Sequence, residues 1–223
     1  MVERAKEMAF AGGALVFPGG RIDESDRTLA AGFPLDDPAA RIAAIRETLE
    51  EAAIAVGILP LPAPELYGEL QQALLAARDF GELLTEHNLR LDLETLTPLA
   101  RWVPKFHAVR RFDTLFFVAK VENAEVEPHV SGGECAGAFW ITATDALERE
   151  RSGETRLIFP TRRNLERLAL HRSFDAIRAD ALVHPLEPIT PWAETIDGDE
   201  YISIPEGRGY PVTREKLDGL WRG

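Results

Sequence analysis

The decapeptide AIRETLEEAA, residues 44–53, sets Glu47, Glu50 and Glu51 beside Arg46. On a helix turning about 100° per residue, the three carboxylates fall within an arc of roughly 100°, while Ile42, Ile45, Leu49, Ala52 and Val56 line the opposite side. One face packs and the other presents charge. A solvated polar face accounts for many such clusters. Three like charges, however, repel by about 1 kcal/mol per close pair in water, and by more in a partly buried cleft. A divalent cation relieves that repulsion. Hard carboxylate oxygens with no His or Cys beside them select Mg2+ or Mn2+ over Zn2+.

Upstream, FPGGRIDESD (residues 17–26) carries Gly19 and Gly20, which let a backbone turn sharply and come close to a phosphate or a metal. Arg4 and Arg21 are candidates for phosphate contact, weighed against ordinary solvated arginines. Glu134, in a glycine-rich turn, reads by itself as an exposed turn residue. His87, His107, His129, His171 and His184 show no metal-ligand spacing and read as structural or exposed. Trp102 and Trp140 read as core, Arg110 and Arg111 as surface charges at a strand entrance, and Asp113 as support for that turn.

The elements that must hold these groups form a mixed α/β pattern without internal repeats. Residues 14–17 predict a short strand stopped by Pro18, and Asp37 followed by Pro38 predicts the cap and first residue of a helix reaching about Val56. Residues 65–86 predict two helical pieces broken near Gly81. Strands are expected at 96–103, 114–121 and 138–141, and helices at 144–151, 162–171 and 174–182. The tail from His184, with Pro185, Pro188, Pro191 and Pro205, has no clear periodicity. Residues 1–183 are therefore read as one domain and 184–223 as an extension packed on it.

With 223 residues, 45% hydrophobic and 28% charged, the chain can bury a sizeable core. A formal net charge of −12 and a pI near 4.9 argue against nucleic acid or an anionic membrane as partner, since both need a basic face. No run approaches the roughly 18 apolar residues of a membrane span, and the N-terminus lacks a secretory core, so the chain reads as soluble and cytoplasmic. A single cysteine, Cys135, excludes an internal disulfide or a multi-cysteine zinc site and reads as packing.

Taken with Gly20, the RETLEE run resembles the signature of the Nudix hydrolases, G-x5-E-x7-R-E-U-x-E-E-x-G-U with U a bulky aliphatic residue. Gly20 opens it, and Arg46, Glu47, Leu49, Glu50, Glu51 and Ile54 match its second half. Asp26 stands where the pattern has Glu, Ala53 where it has Gly, and 19 residues (27–45) precede Arg46 where it has seven. This interrupted form resembles the branch related to peroxisomal coenzyme A diphosphatases. RRFDTLFFVA (110–119), SGGECAGAFWIT (131–142) and LIFPTRRNLERLA (157–169) are similar to its other blocks, so the resemblance covers most of residues 4–170. Arg4, Ala5, Gly13 and residues 17–20 fit its upstream pattern, and Ala9 replaces a second arginine. A strand usually precedes the point where Arg4 stands. Only Met1 to Glu3 do so here, so either a segment lies upstream or the sheet is completed differently.

The resemblance implies an α/β/α sandwich around a mixed β-sheet. It also implies hydrolysis of a small-molecule nucleoside diphosphate derivative, coenzyme A or an acyl derivative foremost. ADP-ribose, nucleotide sugars and dinucleotides stay open, as does a Nudix-like domain that binds without catalysing. Anionic oxygens repel an attacking water, so bound Mg2+ (or Mn2+) is expected to neutralise charge, polarise the phosphoryl group and acidify the water. Glu50 and Glu51 are then the principal metal ligands, Glu47 a ligand or the base, and Arg46 the group that orients them. Glu134 is a base or ligand from outside the signature, and Arg4, Gly19, Gly20 and Arg21 lie at the substrate. The reading admits a homodimer. Gly32, Pro34 and Pro38 exclude a continuous helix through the extra residues and predict a surface excursion.

Overall fold

The computed structural model describes residues 1–8, 11–104, 113–122 and 125–217, so His107, Arg110 and Arg111 lie outside the described residues. Two compact units divide the chain: 1–96, 119–141 and 153–157 in the first, and 97–118, 142–152 and 158–223 in the second. The first contains β1 (Val2–Arg4), β2 (Leu15–Val16), α1 (Glu24–Ala30), α2 (Pro38–Ala52), β3 (Ile58–Leu59), α3 (Pro64–Leu75), α4 (Phe80–Glu86) and β4 (Arg90–Leu91). In the second stand β5 (Thr97–Trp102) and β6 (Thr114–Val118), after which β7 (Cys135–Ala138) returns to the first. The second then adds α5 (Ala143–Arg151), α6 (Phe159–Leu168), α7 (Phe174–Val183), β8 (Pro188–Ile189), β9 (Trp192–Ile196), β10 (Asp199–Ser203) and β11 (Arg214–Lys216).

In the first unit β1 pairs antiparallel with both β2 and β7, so Val2 and Glu3 themselves open the strand that reaches Arg4. Alongside runs α2, whose Ile42, Ile45 and Leu49 are fully buried. Each such side chain contributes roughly 1.5–3 kcal/mol of hydrophobic stabilisation. Pro38 occupies the first turn of α2 as expected. Asp37, however, sits at φ 51° and its side chain makes no capping bond. The helix also ends four residues before Val56. Ala53 turns left-handed at φ 52° and donates its N–H to the Leu49 carbonyl at 3.0 Å. That conformation costs an alanine about 1 kcal/mol, which gives a physical reason for the glycine of the signature at this position.

The extra residues are partly helical. Asp23 and Asp26 form a capping box that starts α1, and Gly32 and Pro34 fall in the turn between α1 and α2. Leu29 of α1 packs at Gly81. The break within 65–86 therefore lies before Gly81, at 76–79, where Asp79 caps α4 by accepting the Glu82 N–H at 2.9 Å. The strand expected at 138–141 runs instead over Cys135–Ala138, in register with β1. Trp140 consequently falls beyond it, 46% exposed, with its indole N–H on the Val126 carbonyl. It is not a core residue.

In the second unit β5 pairs antiparallel with β6 and parallel with β8. Trp102 is buried there, edge-on to Phe159 and Tyr210. Asp113, just before β6, accepts two hydrogen bonds from Arg101 of β5, at 2.8 and 2.6 Å. The tail is more regular than its prolines indicate: β9, β10 and β11 form an antiparallel meander. Pro188 opens β8 at a sheet edge and Pro191 precedes β9, positions where a missing N–H costs no ladder bond. No helix among the described residues is long and apolar enough to cross a membrane.

Candidate active site

All the site residues named from the sequence lie in the first unit, and the structure gathers them around two centres. Arg46 on α2 is the first. It is nearly buried, and its Nε and Nη2 donate to the two carboxylate oxygens of Asp26 at 3.1 and 3.0 Å. Its Nη1 donates to Glu47 at 3.0 Å and to Glu50 at 3.3 Å, and Nη2 also donates to the Arg21 carbonyl at 3.0 Å. Burial alone would make this guanidinium less basic. The hydrogen bond to Asp26 and the charges of Glu47, Asp26 and Asp23 outweigh it and hold the group above the usual arginine range.

Glu51, at the end of the same helix, is the second centre. Its Oε2 accepts the Gly19 N–H at 2.9 Å, and the buried Cys135 thiol hydrogen-bonds its carboxylate. Arg4 and Glu134 also act on it electrostatically and pair with each other at 3.2 Å. Arg4 is thus engaged by a carboxylate, and the Glu134 side chain is 65% exposed. The Arg21 side chain is exposed.

Burial pushes Glu47 up to about 7. Arg46 pulls it down, but the charges of Glu51 and Glu50 add to the rise. Burial likewise raises Glu51, against the pull of the Gly19 N–H and Cys135. Cys135 is pushed up to about 12, by burial first and then by the Glu51 charge, and is no nucleophile. Among the described residues no three His, Cys, Asp or Glu side chains stand grouped as a metal would hold them. Glu47 and Glu50 point to Arg46 and Glu51 points to Gly19. The donor set still suits a hard cation: all oxygen, on one helix face, with the charged forms of Glu47 and Glu51 disfavoured first by burial and then by neighbouring carboxylates.

Two residues escaped the sequence reading of the site. Asp26 registered only as a departure from the signature, yet it is fully buried and grips Arg46 through both oxygens. Gln71 of α3 gave no signal beyond its place on an amphipathic helix. Gly20 was noticed for its freedom, and the structure shows closeness instead: a Cβ there would collide with the Glu47 carboxylate. Gly20→Ala should therefore displace Glu47 and lower turnover by about ten-fold. Because the displaced atoms are the end of a flexible side chain, the urea midpoint should barely move. A lower midpoint with undiminished turnover would contradict this placement.

No protein-family model matches the chain. It is 27% identical, over an alignment of 256 residues, to the human acyl-coenzyme A diphosphatase NUDT19, spanning 88% of this chain and 67% of that protein. It is 32% identical to a NUDIX hydrolase of solved structure from Alicyclobacillus acidocaldarius, with a TM-score of 0.65 over 80% of this chain and 86% of that one.

Proposed function

Because this chain belongs to the Nudix hydrolase family, we propose that it hydrolyses the diphosphate linkage of coenzyme A or an acyl-coenzyme A, using Mg2+ or Mn2+ held by Glu47, Glu50 and Glu51. The observation that carries the reading is the carboxylate face of α2, fixed from behind by Arg46 and Asp26. The substrate class is supported by the likeness to NUDT19 and by the FPGG run at residues 17–20. When bound, the cation supplies charge neutralisation at the phosphoryl oxygens. The protein supplies the rest. Arg46, immobilised by Asp26, sets Glu47 and Glu50 side by side, and the Gly19 N–H aims Glu51. Glu47, where it leaves the cation to Glu50 and Glu51, or Glu134 from outside the signature takes a proton from the attacking water. Arg21, exposed next to Gly20, is proposed to meet a substrate phosphate.

The test is hydrolysis by the purified protein of coenzyme A, acyl-coenzyme A, ADP-ribose, nucleotide sugars and dinucleotides, with and without Mg2+. The coenzyme A compounds should be cleaved fastest, in the millimolar range of Mg2+ or with less Mn2+, and EDTA should abolish turnover. Full activity after exhaustive chelation would overturn the metal assignment. A clear preference for ADP-ribose, a nucleotide sugar or a dinucleotide would overturn the substrate.

A further inference from the structure

The end of α2 needs partners it cannot provide. Because the helix stops at Ala52, its last carbonyls have no intrahelical N–H to accept. Two are satisfied from outside: the His129 N–H donates to the Ala52 carbonyl at 2.9 Å, and Gln71 Nε2 donates to the Glu50 carbonyl at 3.0 Å. Gln71 is fully buried and does more than cap. The same amide nitrogen donates to the His129 carbonyl at 2.7 Å, and Oε1 accepts the Ser131 hydroxyl at 2.5 Å. One side chain thus joins the backbone under Glu50 to the segment 129–131.

That segment leads directly to Glu134. Gly132 and Gly133 follow in left-handed conformations, at φ 107° and 86°, and let the chain double back. At the far side the Glu134 carbonyl accepts the Ala5 N–H at 2.9 Å, its carboxylate meets Arg4, and Cys135 enters β7 against Glu51. The Glu134 turn is therefore anchored on one side to β1 and on the other to Gln71. A residue serving only the core would not spend three polar contacts on two backbone carbonyls and a loop hydroxyl. Leu70 and Leu74 beside it already supply α3 with buried apolar groups.

We propose that Gln71 is a positioning residue, which fixes the Glu134 turn relative to the Glu50–Glu51 end of the metal-binding helix. This rests on the reading of the site given above. Glutamine suits the task because its amide offers two donors and an acceptor in one plane. Methionine at position 71 fills similar volume but offers none of them.

Two measurements test the proposal. In hydrogen exchange of the substrate-free protein, Gln71→Met should speed exchange over residues 127–138 by about ten-fold and leave the second unit unchanged. A uniform acceleration, or none over 127–138, would overturn it. In turnover, Gln71→Met should lower kcat about ten-fold with KM nearly constant, and most of that loss should vanish in a Glu134→Gln background. Losses that simply multiply would mean that Gln71 does not act through the turn, and the proposal falls. Ser131→Ala, which removes one bond from the half-buried edge of the clamp, takes the place of Gln71→Met in both measurements if that variant does not fold. Failure of the unsubstituted protein to hydrolyse any diphosphate would strike at the proposed function instead. The exchange measurement needs no substrate and still decides on the clamp.

Discussion

Glu51→Gln should lower turnover by about two orders of magnitude or more and leave the fold intact. The substitution changes charge and little else. A glutamine oxygen can still accept the Gly19 N–H that Glu51 accepts at 2.9 Å, and the amide remains able to meet the Cys135 sulfur. Burial already disfavours the charged form of Glu51. Removing that charge relieves a desolvation penalty, so the melting temperature should hold or rise slightly. What is lost is one of the three anionic oxygen donors proposed for a divalent cation, and a neutral amide is a poor replacement there. Steady-state kinetics at saturating Mg2+, with a thermal melt of each protein, separate the two effects. Turnover within a few-fold of the unsubstituted protein would reduce the three glutamates to a polar helix face.

The carboxylate face of α2 was legible because it is local: a 3.6-residue period fixes which side chains share a side, whatever surrounds the helix. Glu47, Glu50 and Glu51 do stand opposite the buried Ile42, Ile45 and Leu49. The length of the helix was less legible. Nothing in the composition of 53–56 forbids helix, and the stop comes from Ala53 adopting a conformation alanine disfavours. The strands of the tail were hidden for the opposite reason, since its prolines mask strands whose stability comes from pairing with other strands: β8 on β5, and β9 with β11 on either side of β10. Asp26 and Gln71 were invisible for the same cause. Asp26 meets Arg46 20 positions further along the chain and Gln71 meets His129 58 positions further along, and no local pattern encodes such partners. Glu134 was placed by resemblance, and what the fold adds is its pairing with Arg4.

Asp26→Ala should destabilise the protein by about 3 kcal/mol, the cost of removing one partner from a buried ion pair. Asp26 is fully buried and Arg46 nearly so, and both guanidinium bonds of the fork are lost together. The change also removes the oxygen that accepts the Asp23 N–H at 2.8 Å, which loosens the start of α1. Arg46 is not left wholly unpaired, because Glu47, Glu50 and the Arg21 carbonyl remain, and this keeps the loss at the lower end of the range for such pairs. Those remaining contacts carry a second consequence. A guanidinium released by Asp26 turns more fully onto Glu47 and Glu50, competes with a divalent cation for their oxygens, and should raise the Mn2+ concentration needed for half-maximal activity by about ten-fold. Shortening the chain within 31–36, which spares α1 and the Asp26–Arg46 pair, is the control: loop-closure entropy changes slowly with length, so its stability effect should stay near 1 kcal/mol. Urea unfolding and Mn2+ titration of activity distinguish the two variants. If Asp26→Ala costs no more than the shortened loop and leaves the Mn2+ requirement unchanged, Asp26 is a passive member of the turn and Arg46 is held by the glutamates alone.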